Sequence, residues 1–537
     1  MTTRKTRRNE TSRPVSAVAV TRRRLARFAA LLVVAVLQLA PAGPLAAPFL
    51  DARLHVEFDN AWFTTMARNG LRNGDARSQL GVTLNRYERW GKSVGRPEYY
   101  THHPFLIKAL FQQFARLAGT GEAASRVFAL LISFAIAACL LLLVERASGR
   151  LGAALAAALT LVSIPGFAAF AATLKFESDG MLAALLCLLA IERALRSSGL
   201  RPQLVVGLAA AAAALAHWSG ALAVAITCAL LAWRAVRQRD AQLGRSAAAG
   251  LVGLAAGEAV FLAVVVWLQH GTAAAWRSLA GGFATRSAVG GIAAGEWAAR
   301  EWLYLRENFT VPLLVLVAAL LIAAAVLARR GATPGRTGSG AAADGDGTWF
   351  LTLTIIATLA CAVIWVAAFR QGSYIHSYWQ IWLALPIAAL VGACVARAQA
   401  DPRLATGAAI GVIALVAFLQ TEAAAAREQT AQARLGTPDD VAFLVSLRQQ
   451  RCERLVFFAL SRTPFNEWFS GPLFAYYTDR PVAVAGSSER LRNSDLVLVV
   501  RQTDHQRLAG DLGRQLGVRL VDERCGTRLC AYAVQPL

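Results

Sequence analysis

The chain has 537 residues, of which 56% are hydrophobic, and its formal net charge at pH 7 is +22. The apolar residues are gathered in runs that reach the ~20 residues needed to cross the hydrocarbon core of a bilayer as a helix. This composition excludes an ordinary soluble globular protein. No basic stripe alternates with aromatic residues, so nucleic-acid binding is excluded as well, and the arginines between apolar runs follow the positive-inside pattern.

The N-terminal part divides into a basic tail and an apolar run. Residues 1–27 are polar and arginine-rich, and we expect a disordered cytoplasmic tail. Residues 28–48 form the first predicted span. This run ends in "GPLAAPF", which resembles a signal-peptidase site, so cleavage stays open as the alternative to retention as a helix.

A long first loop follows, over residues 49–122. The segments "HVEFDNAWFTTMARNGLRNG" and "EYYTHHPFLIKALFQQFARLAG" predict two amphipathic interfacial helices near its two ends. A few residues suffice to connect two spans, so a loop of this length indicates a function.

The remaining apolar runs predict about eleven spanning helices in total, within a transmembrane domain over residues 28–420. The further spans are predicted near 124–144, 151–171, 178–194, 203–218, 220–234, 247–268, 310–328, 349–368, 378–396 and 403–420.

The linkers between these runs indicate the orientation. Arginine-rich linkers such as "ERALRSSGLRPQ" alternate with connections such as "KFESD", "HWSG", the segment 269–308 and "FRQGSYIHSYW", so we expect the former in the cytoplasm and the latter outside. The low-complexity segment 331–347 predicts a flexible cytoplasmic linker. An odd number of spans places the N-terminus inside and the C-terminus outside the membrane.

Residues 421–537 predict a small periplasmic or extracellular α/β domain. "PDDVAFLVSLRQQ" and "DHQRLAGDLGRQLG" have helical patterns, and "RLVFFAL", "LVLVV" and "LCAYAV" are typical of strands. Cys525 and Cys530 lie close enough in sequence to pair in an oxidising compartment, and two free thiols are the open alternative.

Ionisable residues are concentrated in the outer connections. Asp59 and Glu57 follow the first span, and Lys175 and Asp179 lie in "KFESDG". Aromatic and basic residues there often serve as headgroup anchors, the interpretation we favour for Trp62, Tyr99 and Trp379. A carboxylate does not anchor to headgroups, so Asp59 indicates function, whereas Asp179 could also cap a helix.

Such residues suit group transfer from a phosphate-linked lipid. A carboxylate can take the proton of an acceptor hydroxyl as general base. Cations can neutralise the charge that grows on a phosphate leaving group. The lipid would enter laterally between helices.

The arrangement "FDNAWFTTMARNGL", "EYYTHHPFLIKALFQQFARLAG", "KFESDGMLAALLCLLA" and "YIHSYWQIWLALPIAAL" resembles the GT-C class of membrane glycosyltransferases over roughly residues 28–400. It is most similar to the bacterial branch related to protein O-mannosyltransferases and the lipid A aminoarabinose transferase. The resemblance implies a polytopic α-helical fold and a polyprenyl-phosphate-sugar donor. It also implies hexosyl or pentosyl transfer on the outer face to a lipid, glycan or protein acceptor.

The resemblance also implies roles for residues. Asp59 falls on the family's acidic position in the first loop, and Asp179 on its second acidic position. The usual acidic neighbour is replaced by Asn60. No cofactor is required, although some members bind a divalent metal, for which His102 and Asp59 are candidates. The remaining predicted site residues are His102, His103, Lys175 and Arg370 for the donor phosphate, and Glu57, Tyr100, Tyr374, His376 and Tyr378 for substrate.

Two other classes of function remain open. A transporter or lipid flippase is the main alternative, although we find no related halves, which such proteins often show. The other is a structural or assembly protein whose C-terminal domain binds a partner. The aromatic residues in "FNEWFSGPLFAYYTD" could bind such a partner or fill the core of the domain. We favour the core interpretation.

Overall fold

The structure is a computed structural model. It describes residues 17–40, 45–49, 54–74, 76–77, 82–83, 88–89, 92–93, 99–197, 199–287, 291–331, 341–432, 437–450, 454–458, 467–479, 482–484, 491, 495–500, 505–527 and 529–536.

Most of the described chain is helical, as apolar runs in a bilayer must be. The α-helices are α1 (Ala17–Leu39), α2 (Leu54–Asn73), α3 (Leu106–Ala118), α4 (Glu122–Ser148), α5 (Leu151–Ser163), α6 (Pro165–Phe170), α7 (Phe176–Arg196), α8 (Leu200–Ala216), α9 (Trp218–Gln238), α10 (Ala241–Leu268), α11 (Thr272–Ser287), α12 (Ala294–Phe309), α13 (Val311–Gly331), α14 (Ala341–Ala368), α15 (Arg370–Ile375), α16 (Ala384–Ala398), α17 (Pro402–Gln432), α18 (Pro438–Ser446), α19 (Glu467–Thr478) and α20 (His505–Leu516). Two 3-10 helices cover Ser377–Leu383 and Leu447–Gln449.

The chain is a multi-pass membrane protein. Within the described residues, the helices long and apolar enough to cross a membrane are Glu122–Ser148, Trp218–Gln238, Ala241–Leu268, Gly347–Ala368, Ser377–Ala398 and Pro402–Ala426. A bent pair, Ala294–Phe309 with Val311–Ile322, would add a seventh. Every predicted span overlaps a described helix, although the predicted span 28–48 runs past the end of α1 at Leu39 into residues 41–44, which lie outside the described part of the chain. Several of these helices are short, so the total of about eleven stays a prediction.

Small residues let the spanning helices approach closely. A Cβ atom built on Gly253 of α10 would lie 2.1 Å from the carbonyl oxygen of Gly207 in α8, and one on Gly257 would lie 2.6 Å from that of Ala211. Backbones in membrane bundles come this near only where side chains are absent or small. The α8–α10 pair is therefore fixed by shape rather than by polar contacts.

An outer layer of two helices lies over the ends of the spans. The predicted interfacial helices of the first loop are present as α2 and α3. They share a buried cluster with α4 that includes Phe63, Phe111 and Phe128. The loop between them also contains four short strands, β1 (Val82–Thr83), β2 (Glu88–Arg89), β3 (Lys92–Ser93) and β4 (Tyr99–Tyr100).

The C-terminal part is the predicted small α/β domain. Its sheet has the strand order β6-β5-β7-β9-β8, with β5 parallel to its two neighbours and β9 antiparallel to its two. The strands are β5 (Arg454–Phe458), β6 (Val482–Val484), β7 (Asp495–Val500), β8 (Val518–Cys525) and β9 (Leu529–Pro536). Cys525 and Cys530 form a disulfide between β8 and β9. The side chains of Phe474, Tyr476 and Tyr477 are buried. Their cluster also includes Phe49 and Ala61 from the first loop, so they fill an interface with that loop as well as the core of the domain.

Two predicted irregular segments are partly helical. Helix α1 begins at Ala17, inside the predicted disordered tail, because Arg23 and Arg27 pair with Glu145 on α4. Helix α14 begins at Ala341, inside the predicted linker 331–347, where three alanines favour helix. Residues 1–16 and 332–340 lie outside the described residues. Helix α17 also continues past residue 420, the predicted domain boundary.

Candidate active site

A buried ion pair lies where α2 meets the start of α7. Asp59 on α2 pairs with the ammonium group of Lys175, the residue that precedes α7, and their side chains are 6% and 1% exposed. The hydroxyl of Tyr378 also donates a hydrogen bond to Asp59. The Lys175 ammonium lies 3.7 Å from the centre of the Tyr378 ring. Three separate outer connections therefore meet at one carboxylate.

Asn60 holds the segment that carries Lys175. Its side-chain oxygen accepts from the backbone N–H of Leu174 at 2.8 Å. Its amide nitrogen donates to the carbonyl oxygen of Ala172 at 3.1 Å and to Glu57 at 2.8 Å. An ionised carboxylate has no such donor, so an acid at this position could not make the contacts to Ala172 and Glu57.

Glu57 is held in a second buried ion pair. The guanidinium of Arg126 on α4 lies 3.0 Å from its carboxylate. Arg126 also donates to the carbonyl oxygens of Leu45 and Ala47. One carboxylate oxygen of Glu57 joins α2 to α4 through Arg126, and the other accepts from Asn60 on α2 itself. The structure therefore gives this residue a supporting position behind Asp59 rather than an open binding position.

Burial raises the pKa of the Asp59 carboxyl above its ordinary value, and the nearby Lys175 charge and the Tyr378 hydrogen bond act against this rise. Burial likewise raises the pKa of Glu57, with Arg126 opposing. A carboxylate with a raised pKa binds a proton more readily, which is what a general base in a dry site requires.

A chain of hydrogen bonds connects the first loop to the bundle interior. Arg286 on α11 donates to Nε2 of His103 at 3.1 Å. The proton of neutral His103 then lies on Nδ1, which donates to Nε2 of His217 at 3.1 Å. His217 contacts the Ser219 hydroxyl at 2.6 Å, and the Trp382 indole donates to that hydroxyl at 3.0 Å. The loop is therefore anchored in the protein core.

His103 stays neutral at physiological pH. Burial, reinforced by the charge of Arg286, holds its pKa well below the ordinary value, and the same two causes lower the pKa of half-buried His102. The resemblance assigned both histidines to the donor phosphate. The cation that hydrogen-bonds to His103 is the guanidinium of Arg286.

Lys108 and Tyr100 contact the residues of this hydrogen-bonded series. The buried Lys108 ammonium donates to the backbone carbonyls of Tyr100 and His103 at 3.2 and 3.0 Å, and burial lowers its pKa to about 7. The Tyr100 hydroxyl accepts from Arg286 at 2.9 Å, and burial raises its pKa to about 12. Lys108 fixes the backbone that presents both side chains.

Two further carboxylates lie buried in the first turn of α7. Glu177 lies within electrostatic range of Asp59 and Lys175, and Asp179 is its neighbour. One oxygen of each has no hydrogen-bond partner within the described part of the chain. The helix N-terminus favours negative charge there. Glu177 therefore interacts with the charges of Asp59 and Lys175, whereas the charge interaction of Asp179 is with Glu177.

Two predicted residues lie in a neighbouring cluster. The hydroxyl of Tyr374 donates to Glu296 on α12 at 2.5 Å, and Arg370 lies over the ring of Trp297, also on α12. Neither has a recorded contact with Asp59. The His376 ring is nearer, stacked 6.4 Å from Phe58 between ring centres, so the structure brings His376 but not Arg370 or Tyr374 beside the ion pair.

Sequence reasoning missed three residues of this site. Arg286 lies in the outer connection 269–308, which carries no distinctive pattern. Lys108 follows the His102–His103 pair within the amphipathic α3, and His217 is the N-cap of α9. The position of Lys108 and His217 in outer-face segments was the only available signal.

The donor set does not fit a metal at Asp59. Among the described residues, the only three metal-ligating side chains close enough together are Glu523, Cys525 and Cys530, and the two cysteines are paired in a disulfide. Asp59 is already paired with Lys175, and it shares no recorded contact with His102.

Comparisons with known proteins identify the fold of this chain. The sequence model of the family described as dolichyl-phosphate-mannose-protein mannosyltransferase matches residues 102–267. The crystal structure of ArnT from Cupriavidus metallidurans bound to undecaprenyl phosphate is similar with a TM-score of 0.57 at 14% identity, over 96% of this chain and 98% of that one. The chain has the GT-C fold.

Another solved GT-C protein is less similar. The oligosaccharyltransferase of Archaeoglobus fulgidus in the apo form gives a TM-score of 0.49 at 14% identity, over 95% of this chain and 75% of that one. No curated protein matches the chain in sequence.

Proposed function

We propose that this chain is a glycosyltransferase that moves a sugar from a polyprenyl-phosphate-linked donor to an acceptor hydroxyl at the outer face of the membrane. The GT-C fold supports the reaction class. The donor class is supported by the undecaprenyl phosphate in the similar ArnT structure and by the dolichyl-phosphate-mannose description of the matching family. The buried Asp59–Lys175 pair is the observation that carries the proposal.

In the proposed reaction, Asp59 acts as the general base. The acceptor oxygen forms a bond to the anomeric carbon of the sugar, and its proton passes to Asp59. The bond between the anomeric carbon and the phosphate oxygen breaks, and its electron pair leaves with the polyprenyl phosphate. Lys175 and the Tyr378 hydroxyl oppose the rise in the pKa of Asp59 that burial causes, and the ionised carboxylate is the form that accepts the proton.

Arg286 is the cation best placed for the leaving phosphate. It makes no ion pair with a described carboxylate, and its contacts to Tyr100 and His103 orient the planar guanidinium group. A guanidinium can bind two phosphate oxygens at once and stays charged at all relevant pH values. His103 and His102 then position this group and line the site, and they add no charge of their own.

The contacts of the C-terminal domain support the proposed orientation. Phe49, Glu122 and α2 all contact α19, so this domain and the first loop lie on one side of the membrane. The Cys525–Cys530 disulfide fits an oxidising compartment. We place both outside the bacterial inner membrane, with the N-terminus in the cytoplasm.

The bent helix pair gives little support to a transporter. The break between α12 and α13 lies at Thr310, and the adjacent Asn308 donates to the backbone of Ser377, where a span begins. The break therefore lies at the outer end of the bundle, whereas transporters place broken helices near the bilayer midplane.

The test is sugar transfer in proteoliposomes from a labelled polyprenyl-phosphate-linked sugar. Asp59→Asn should lower transfer by about 100-fold or more, because general-base catalysis contributes 10²–10⁴-fold. The control is Glu307→Gln, which removes an exposed carboxylate on α12. Transfer that survives Asp59→Asn removes Asp59 from the mechanism, and a wild type inactive with every donor tried argues against the reaction class.

A further inference from the structure

A second charged site lies at the opposite end of the bundle. On α4, Arg126 at the active-site end and Arg146 at the other are separated by about 30 Å of helix. There a cavity of about 540 Å³ is lined by Arg146, Arg193, Arg196 and Arg201, with Glu192 as the only carboxylate. Four positive charges against one leave a strong excess.

The charges are only partly compensated within the protein. Arg146 pairs with Glu192 at 3.3 Å, and Arg196 pairs with the same carboxylate. Arg196 also donates to the carbonyl oxygen of Arg146 at 2.6 Å, which fixes the two arginines relative to each other. No described carboxylate pairs with Arg193 or Arg201. Two guanidinium groups therefore line the cavity uncompensated beside two that are held in place.

An apolar surface continues from this cavity along α8. Arg201, Leu204, Val205 and Leu208 share one face of the helix by their spacing, and Leu204 and Leu208 are 54% and 71% exposed. Arg201 therefore stands at the headgroup end of an apolar stripe that faces away from the protein core. A soluble anion has no apolar surface to bury against this stripe, whereas the acyl chains of a lipid can pack along it.

We propose that this cavity binds the phosphate of an anionic phospholipid, with its acyl chains along the Leu204–Leu208 face of α8. Basic pockets between spanning helices are suited to anionic headgroups. Arginine binds phosphate through paired N–H donors. The site is separate from the proposed active site and does not rest on the proposed function.

The test is native mass spectrometry of the full-length protein in detergent, titrated with phosphatidylglycerol, phosphatidylcholine or glycerol 3-phosphate. The wild type should bind phosphatidylglycerol most tightly. The double variant Arg193→Gln/Arg201→Gln should weaken phosphatidylglycerol binding about 25-fold, since each arginine near the surface contributes about fivefold. These two side chains are exposed and make no described ion pair, so the fold should persist.

The matched control is Arg237→Gln/Arg245→Gln, which removes two exposed arginines at the same end of the bundle but outside the cavity. It should leave phosphatidylglycerol affinity within about twofold, because exposed charges outside the cavity are screened by salt and do not contact the lipid phosphate. An equal loss in this control would overturn the proposal. So would equal affinity for phosphatidylcholine, or glycerol 3-phosphate binding as tight as phosphatidylglycerol, which would identify a soluble-anion site instead.

Discussion

Arg68 on α2 and Asp479, which follows α19, form an ion pair of 3.2 Å between the first outer loop and the C-terminal domain. Arg72 joins the same carboxylate at 2.6 Å, and Arg68 also donates to the carbonyl oxygen of Tyr476 at 3.0 Å. Helix α2 carries Asp59 two turns before Arg68. The C-terminal domain thus holds the helix that presents the proposed base.

Asp479→Asn should therefore impair both stability and transfer. Burial lowers the pKa of Arg68 to about 10, and Asp479 opposes this shift. Without that carboxylate the partly buried charge loses its partner, at a cost of about 1–3 kcal/mol. We expect a lower unfolding temperature and a several-fold drop in kcat. The control Asp511→Asn removes an exposed pair with Arg514 in the same domain, and an equal effect there would contradict a specific role for the interface.

Tyr378→Phe should shift the pH dependence of transfer. Asp59 must be ionised to accept a proton, and the Tyr378 hydrogen bond lowers its pKa. Without the hydroxyl the pKa of Asp59 rises further, so activity is lost at a higher pH on the acid side. The measurement is the pH profile of kcat/KM.

Tyr374→Phe is the matched control for this profile, because the Tyr374 hydroxyl bonds to Glu296 instead. Its acid limb should coincide with that of the wild type. An unshifted limb in Tyr378→Phe would show that Asp59 is not the group whose ionisation limits the rate.

Arg286→Gln should weaken transition-state stabilisation by about 100-fold in kcat/KM, since removing one donor to a developing anion typically costs this much. Arg286→Lys keeps the charge but loses the planar fork, so it should recover only part of the activity. Kinetics with varied donor would measure both. Arg277→Gln on the same helix serves as control, and a wild-type rate in Arg286→Gln would exclude contact with the phosphate.

The helices were largely predictable because a bilayer allows few alternatives. Long apolar runs must be helical wherever they lie, and the two helices of the first loop followed from their amphipathic pattern. Helix α19 was not predicted, since Gly471 and Pro472 lie inside it and disfavour helix. Its packing against α2 outweighs that local preference.

The site was predictable by residue type but not by partner. Asp59, Lys175 and Tyr378 were singled out from three connections, yet only the folded chain shows that they meet. Glu57 was assigned to substrate binding because nothing in the sequence shows that Arg126, at the start of an apolar run, is its ion-pair partner. Arg286 was missed for the same reason, because its contacts with Tyr100 and His103 are visible only in the folded chain.

The order in which the chain is made bears on when this protein can work. Lys175 lies 116 positions after Asp59, and Asp479 is synthesised later still. During biosynthesis Asp59 can pair with Lys175 only after the segment before α7 is made. The contact between α2 and the C-terminal domain forms only after Asp479 is made. A nascent or C-terminally shortened chain would already be embedded in the lipid, yet it would lack the contact that completes its chemical centre.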